Sequence, residues 1–416
     1  MLFFFYLLLF CWLLSKLNLV ACLDIKSKYI IFLFIARVIS GIINGYFDLY
    51  YFIISDSKWF HIRGLEEYHL LIGNPLAYIS TSFKRTGDGS FISFFSTTHS
   101  YWNNLKDSLM IKFLSILNIF SFGNYFTNVL IYNFLIFISS IFLYKLFITK
   151  FPGKKWVLIL SIFLLPDFIF FTSAIHKEGL MFIALTIILY QFDRLTMIKT
   201  KSIINIAILC LALLFILIVR NYIFLLLIPG LIAWYISTKI KRSSVTIFIW
   251  TYLICIVFFF LSGYLTNHQL DLPKLMIERQ SNFSKLSETA NTSLPTLNMQ
   301  PTIQSFIINL PDAIVRSFFG TFISKRFSFS MILFSLDSLV FLLTLILCLV
   351  FKYKNLKSHP IFLFLIFFSI SMFLTIGYTV TNVGAIIRYR SLFYAFMIIP
   401  MGLFIDWGRI KTLYRK

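Results

Sequence analysis

The sequence predicts an all-α fold: a polytopic integral membrane protein of about eleven transmembrane helices, with two long outer-face loops containing amphipathic helices. Three observations predict it. Of 416 residues, 59% are hydrophobic and 13% charged, with a mean hydropathy of +0.88, whereas soluble domains carry about 25% charged residues. The apolar residues form runs near the ~20 residues that a helix needs to cross a bilayer. Short Lys/Arg clusters punctuate those runs at regular intervals.

Taken in order, candidate spans fall near 1–22, 29–47, 126–148, 156–174, 180–193, 203–219, 222–237, 245–264, 331–351, 361–381 and 391–405. The first, opening "MLFFFYLLLFCWLLSKL", lacks a basic n-region and an A-x-A site, so a retained helix is expected rather than a cleaved signal peptide. Basic clusters "DIKSK" (24–28), "KFPGKK" (150–155), "KTK" (199–201), "KIKR" (239–242), "KYKNLK" (352–357) and "RIKTLYRK" (409–416) fall at every second turn of the chain. The positive-inside rule makes those turns, and the C-terminus, cytoplasmic. The chain then divides into N-terminal transmembrane helices (1–47), a first outer loop (48–125), a transmembrane core (126–264), a second outer loop (265–330) and C-terminal transmembrane helices with a basic tail (331–416).

A formal charge of +21 raises the question of nucleic acid. The cations sit in short clusters between apolar runs, a distribution that sets topology and not a nucleic-acid face. Cys11, Cys22, Cys210, Cys255 and Cys348 lie in or beside apolar segments without metal-ligand spacing, and read as small hydrophobes. There is no Walker motif, G-x-G-x-x-G, H-E-x-x-H or visible internal repeat, which argues against an ATP-driven pump, a dinucleotide enzyme, a zincin and an inverted-repeat transporter.

The charge rule places the remaining polar residues on the outer face. In "ISDSKWFHIRGLEEYHLL" (54–71), Asp56 opens the first loop at membrane level, where a carboxylate suits general-base work or a divalent cation beside a phosphate leaving group. The alternative is an ordinary interfacial helix with Trp59, Phe60 and Leu65 in the lipid. His176, Lys177 and Glu178 interrupt membrane-grade apolar sequence at a tight outer turn. Ionisable groups near lipid cost several kcal/mol each unless paired or hydrated, so their presence needs a reason. A Lys177–Glu178 pair capping the next helix is the plain one, and phosphate binding with Glu178 as an acid or base is the functional one. Arg220, Arg388 and Arg390 also lie at outer junctions, against the positive-inside trend. Arginine suits bidentate phosphate contacts, and snorkelling to the interface is the alternative. In the second loop, 265–330, a polar stretch with helical spacing precedes an interfacial helix carrying Asp312 and Arg316.

These residues carry a resemblance. "SDSKWFH" followed by "LLPDFIFFTSAIHKEGLMFIALTIILY" resembles the polytopic GT-C-type glycosyltransferases, which use polyprenyl-phosphate sugar donors on the outer or lumenal face. The resemblance implies that Asp56 is the catalytic acid/base or a metal-associated residue, and that His176, Lys177 and Glu178 sit at the donor phosphate. The closing "TNVGAIIRYRSLFYAFMIIP" resembles the end of O-antigen and exopolysaccharide polymerases, implying that Arg388 and Arg390 bind pyrophosphate. Departures from the first pattern are Ser57 in place of a second acidic residue and an extra span before the loop.

The expected function is cell-surface polysaccharide assembly at the outer face of a bacterial inner membrane, as a single-sugar transferase or a polymerase. Partners are a polyprenyl-linked sugar or oligosaccharide and membrane lipids, with no nucleic acid, and a divalent cation is the candidate cofactor. A lipid-linked oligosaccharide flippase is the competing expectation, which would want charges within the spans. Topology is testable by thiol labelling in a background without the native cysteines. Cysteines at Ser90 and Ser287 are expected to react with an impermeant reagent in intact spheroplasts, and one at Ser358 only after permeabilisation. External labelling of Ser358 would overturn the sidedness.

Overall fold

An apolar chain in lipid has no water to satisfy stray backbone groups, so each segment closes its hydrogen bonds within a helix. The computed structural model describes residues 1–17, 25–51, 55–82, 89, 94, 100–198, 202–267, 269–287, 292–323, 329–352 and 359–413. Among them the secondary structure is helical apart from isolated bridges, which include Ser293 with Asn382 and Lys352 with Ile405. Among the described residues, seven helices are long and apolar enough to cross a membrane: Ser27–Tyr51, Tyr125–Lys150, Lys177–Met197, Asn221–Lys239, Ser244–Leu265, Pro360–Thr379 and Val383–Phe404. An eighth results if Lys155–Phe163 and Pro166–Ser173, bent by 46°, count as one span. Shorter apolar stretches, Leu2–Lys16, Ile203–Val219 and Ser335–Val350, lie where the other expected spans fall. The molecule is an all-helical membrane protein.

Two compact units divide the chain. The first comprises Met1–Phe94, Thr98–Leu164 and Phe168–Arg220. Its helices are α1 (Leu2–Lys16), α2 (Ser27–Tyr46, continued by a π-helical turn Phe47–Tyr51), α3 (Asp56–Gly73), α4 (Pro75–Ser82), α5 (Tyr101–Ser121), α6 (Tyr125–Lys150), α7 (Lys155–Phe163), α8 (Pro166–Ser173), α9 (Lys177–Asp193) and α10 (Ile203–Val219). Helix α6 is central, touched by α1, α2, α5, α7 and α9. Helix α2 approaches it through Gly41 and Gly45, a small-xxx-small pair that lets backbones close up. A methyl at Gly41 would come 2.7 Å from Asn133 Nδ2, and one at Gly45 2.6 Å from the Tyr125 ring. The α5–α6 link turns sharply through Phe122 (φ 51°) and Gly123 (φ 78°). Asn124 then caps α6, accepting the Thr127 N–H at 2.9 Å.

Lys26 begins α2, Lys150 ends α6, and Lys154 and Lys155 begin α7. Lys150 Nζ meets Asp193 at the end of α9, 2.9 Å away. The opposite end of the same helices carries the residue 174–176 turn. Clusters 199–201 and 353–357, parts of 24–28 and 409–416, and the labelling positions Ser90 and Ser358 lie outside the described residues. Ser287 is buried, its hydroxyl 3.1 Å from Thr381 Oγ1, so the second-loop labelling position moves to exposed Glu278.

The described residues between α2 and α6 form α3, α4 and α5, with one correction to the expected lipid-facing side. Trp59 and Leu65 are at least partly exposed, but Phe60 is buried, with the Lys177 ammonium 5.2 Å from its ring centroid. Helix α3 lies on α5, where Gly64 meets Leu114. Lys112 of α5 ties the layer together, donating to Glu67 at 2.6 Å, the Tyr78 carbonyl at 2.7 Å and Thr81 Oγ1 at 2.9 Å.

The second unit comprises Phe95–Thr97, Leu165–Asp167 and Asn221–Lys416. Its helices are α11 (Asn221–Lys239), α12 (Ser244–Leu265), α13 (Leu272–Ser287), α14 (Ile303–Ile308), α15 (Leu310–Ile323), α16 (Phe329–Val350), α17 (Pro360–Thr379), α18 (Val383–Phe404) and α19 (Trp407–Leu413). Helices α17 and α18 form the centre, flanked by α11, α15 and α16. Among the described residues of 265–330, helices α13, α14 and α15 are present, and this segment grips the α17–α18 junction. Leu294 N–H donates to the Thr381 carbonyl (2.7 Å), Val383 N–H to that of Thr292 (3.0 Å), and Gln280 Nε2 to that of Tyr378 (2.8 Å). Leu297, Met299, Phe306, Ala313 and Tyr378 pack as its apolar core.

Candidate functional site

The turn after α8 is only Ala174–His176, and the three ionisable residues leaving it go three ways. His176 is extended (φ −124°, ψ 159°) as the N-cap of α9. Its carbonyl accepts the Tyr132 hydroxyl, and its Nε2 lies 3.4 Å from Asp48 Oδ2 in the π-helical turn of α2. Lys177 Nζ pairs with the Asp107 carboxylate on α5. Glu178 Oε1 lies 3.2 Å from Nη2 of Arg220, the C-cap of α10. His176, Glu178 and Asp48 are buried, and Lys177 and Arg220 are part-buried. Below this layer Arg37 of α2, 3% exposed, donates to Thr172 Oγ1 at 2.6 Å. The Asn44 and Asn133 amides donate to the carbonyls of Phe170 (3.2 Å) and Ser173 (2.7 Å), which ties the turn to α2 and α6.

The expected Lys177–Glu178 capping pair is therefore replaced by two long-range pairs. Adjacent residues at a helix start project about 100° apart, so a shared partner would require a turn of separation. Three carboxylates (Asp48, Asp107, Glu178) face two fixed cations (Lys177, Arg220) and one imidazole. A phosphate entering here would take Lys177 or Arg220 from its carboxylate by partner exchange. The freed carboxylate would then be available as a base next to the bound anion.

Comparison with protein-family models, curated proteins and solved structures finds no match to this chain. The site rests on its own geometry.

Of the residues singled out in the sequence, His176, Lys177, Glu178 and Arg220 come together in the first unit. Asp56 is exposed in the first turn of α3. Its neighbour Ser57 is buried, 2.6 Å from the Tyr125 hydroxyl. The carboxylates meeting His176 and Lys177 are Asp48 and Asp107. Elsewhere on α3, Glu66 makes an exposed pair with Arg63 at 2.7 Å, Glu67 joins the Lys112 brace, and His61 lies edge-on to Tyr125 at 5.1 Å. Burial lowers the pKa of His61, favouring the neutral ring.

In the second unit Arg388 is part-buried, with Nη2 3.4 Å from the Tyr389 hydroxyl. Arg390 is 0% exposed, and its terminal nitrogens are engaged by Ser317, Phe318 and Ser338. Arg390 is thus an internal brace in this structure and offers no surface to a pyrophosphate. Arg316 donates to the Pro295 carbonyl at 2.8 Å. Its burial lowers its pKa, with nearby Asp312 opposing the shift. Among the described residues no group of three or more His, Cys, Asp or Glu side chains converges as a divalent-cation site.

Asp48, Asp107, Arg37, Asp167 and Asp337 were not singled out from the sequence. For Asp48, Arg37, Asp167 and Asp337 a single charge inside an apolar run is the available signal, because intramembrane charges are rare and almost always partnered, whereas Asp107 lies in the polar stretch "NNLKDS" and offers none.

If Glu178–Arg220 is a mostly desolvated pair, its removal should be non-additive. Arg220→Leu alone should cost about 3–5 kcal/mol by stranding the carboxylate, and Glu178→Leu with Arg220→Leu should cost clearly less. Unfolding of the purified variants in detergent checks this; additive losses would mean that the two side chains act independently.

Proposed function

We propose that the protein is an enzyme of cell-surface polysaccharide biosynthesis, of O-antigen, capsule or exopolysaccharide type. It transfers or polymerises sugars from polyprenyl-phosphate-linked donors at the outer face of a bacterial inner membrane. The observation that carries this reading is the gathering of His176, Lys177, Glu178 and Arg220, with Asp48 and Asp107, at one end of the first unit's helices. That end is opposite the lysine-rich one, which the positive-inside rule assigns to the cytoplasm. Eleven spans and a cytoplasmic C-terminus are part of the same proposal.

The chemistry follows from the groups present. Lys177 and Arg220 hold the donor phosphate and stabilise the charge that grows on it as the sugar leaves. A carboxylate, Asp56 or Glu178, takes the proton of the acceptor hydroxyl, so the bond to the lipid phosphate breaks as the new glycosidic bond forms. Arg388, part-buried near the start of α18, remains a candidate for the phosphate of a lipid-linked chain. A divalent cation, if used, would be held by a carboxylate together with the substrate phosphate.

The second reading, a lipid-linked oligosaccharide flippase, is favoured by a specific observation. Arg37, Asp167, Asp337 and Arg390 are buried within apolar helices, where transport pathways place their charges.

The carboxylate substitutions test the enzymatic reading. Asp56→Asn changes an exposed group, so abundance should be normal while surface glycan falls by the ~10²–10⁴-fold typical of a lost general base. Normal glycan from Asp56→Asn, with its loss in Glu178→Gln at matched abundance, would move the base to the turn. Normal glycan from both would remove the enzymatic reading of these residues.

A further inference from the structure

The second unit contains a charge imbalance that the outer-face chemistry does not use. Asp167, at the start of α8, Asp337 on α16 and Arg390 on α18 are all 0% exposed. Two carboxylates facing one guanidinium leave one negative charge in excess. A surplus charge in a dry interior is removed by binding a proton, since leaving it ionised costs far more.

The contacts indicate which carboxyl takes it. Asp337 Oδ2 accepts the backbone N–H of Asp167 at 2.8 Å. That N–H is one of the unsatisfied donors of a helix's first turn, where the positive end of the helix favours an anion. Asp167 has no such support. Neither of its carboxyl oxygens has a hydrogen-bond partner, and Arg390 Nη2 stands off at 3.7 Å. Arg390 is held back by other acceptors: Nη1 donates to the carbonyls of Ser317 (3.2 Å) and Phe318 (3.0 Å), and Nη2 to Ser338 Oγ (3.0 Å).

We propose that Asp167 carries a bound proton and, with Asp337 and Arg390, forms a proton-binding site inside the helical bundle. The groups facing it are Arg390 and Tyr394 from α18, Asp337 and Ser338 from α16, and the Ser317 and Phe318 carbonyls from α15. The Tyr394 hydroxyl donates to the Phe318 carbonyl at 2.8 Å, and its ring centroid is 4.8 Å from the guanidinium. Arg316, also on α15, is turned to Pro295. A metal ion is a poorer occupant than a proton, because a fixed guanidinium 3.7 Å from Asp167 repels it and the donor set is small. The site goes beyond the sugar-transfer reading and holds for a transporter equally. Its occupancy sets whether Asp167 and Asp337, both in the second unit, meet as acid and carboxylate or as two like charges. It is therefore a protonation switch built into the bundle, of the kind that intramembrane carboxylates supply in proton relays.

Infrared spectroscopy of the full chain in lipid tests this, since acid and carboxylate carbonyl stretches are separate. At neutral pH, the difference between wild type and Asp167→Asn should show loss of a water-excluded carboxylic acid. Arg390→Gln should add one further acid, because the remaining carboxylate loses its counter-charge, and Asp337→Asn should remove the acid by letting Asp167 ionise against Arg390. Loss of a carboxylate band in Asp167→Asn would overturn the proposal. Should that variant fail to accumulate, a hydrophobic carbodiimide decides on wild type: an adduct on Asp167 that disappears at alkaline pH supports it, and no adduct overturns it.

Discussion

A charge inside a low-dielectric helical bundle has to meet a partner, and that requirement arranges this protein. Three consecutive ionisable residues can follow the α8–α9 turn because each has a counterpart on a different element. Asp48 comes from the π-helical extension of α2, Asp107 from α5 and Arg220 from the end of α10. One short turn thereby fixes the ends of three other helical segments around α9. Such pairs add little net stability, because desolvation offsets much of their attraction, but breaking one leaves a costly buried charge. Their effect is to specify one packing among the many that an apolar bundle allows.

The same requirement is met differently in the second unit. There Arg390 spends its hydrogen bonds on α15 carbonyls and on Ser338, leaving Asp167 and Asp337 to share what compensation remains. Around the α8–α9 turn each carboxylate lies beside a basic side chain, whereas here a proton closes the balance. The cluster of pairs at the α8–α9 turn and the internal carboxyl pair suit the different tasks proposed for them, one the handling of an anionic substrate and the other the response to protonation.

Much of the architecture was legible because hydropathy and basic turns report on single residues and their immediate neighbours. The all-helical class, the long apolar helices and the position of the tight turn all followed from local pattern. Partners could not follow from it: Lys177 finds Asp107 70 residues away, and Asp167 finds Asp337 170 residues away. Periodicity gave no help either, since helices apolar on all faces carry no stripe to mark the inward side. Phe60 was misplaced into lipid for a related reason, because an amphipathic face reads alike whether it meets lipid or α5. Arg390, two residues from part-buried Arg388, was grouped with it because the sequence does not show which face of α18 turns inward.

The His176–Glu178 end of the first unit is proposed to perform glycosyl transfer from a lipid phosphate. The most direct test is the purified protein in liposomes, supplied with a polyprenyl-phosphate sugar labelled in the sugar and with an acceptor glycan. The account predicts a new glycosidic bond with stoichiometric release of polyprenyl phosphate, lost when Lys177 and Arg220 are both replaced. Passage of intact donor across the bilayer, with no bond formed, would contradict it and make the protein a carrier.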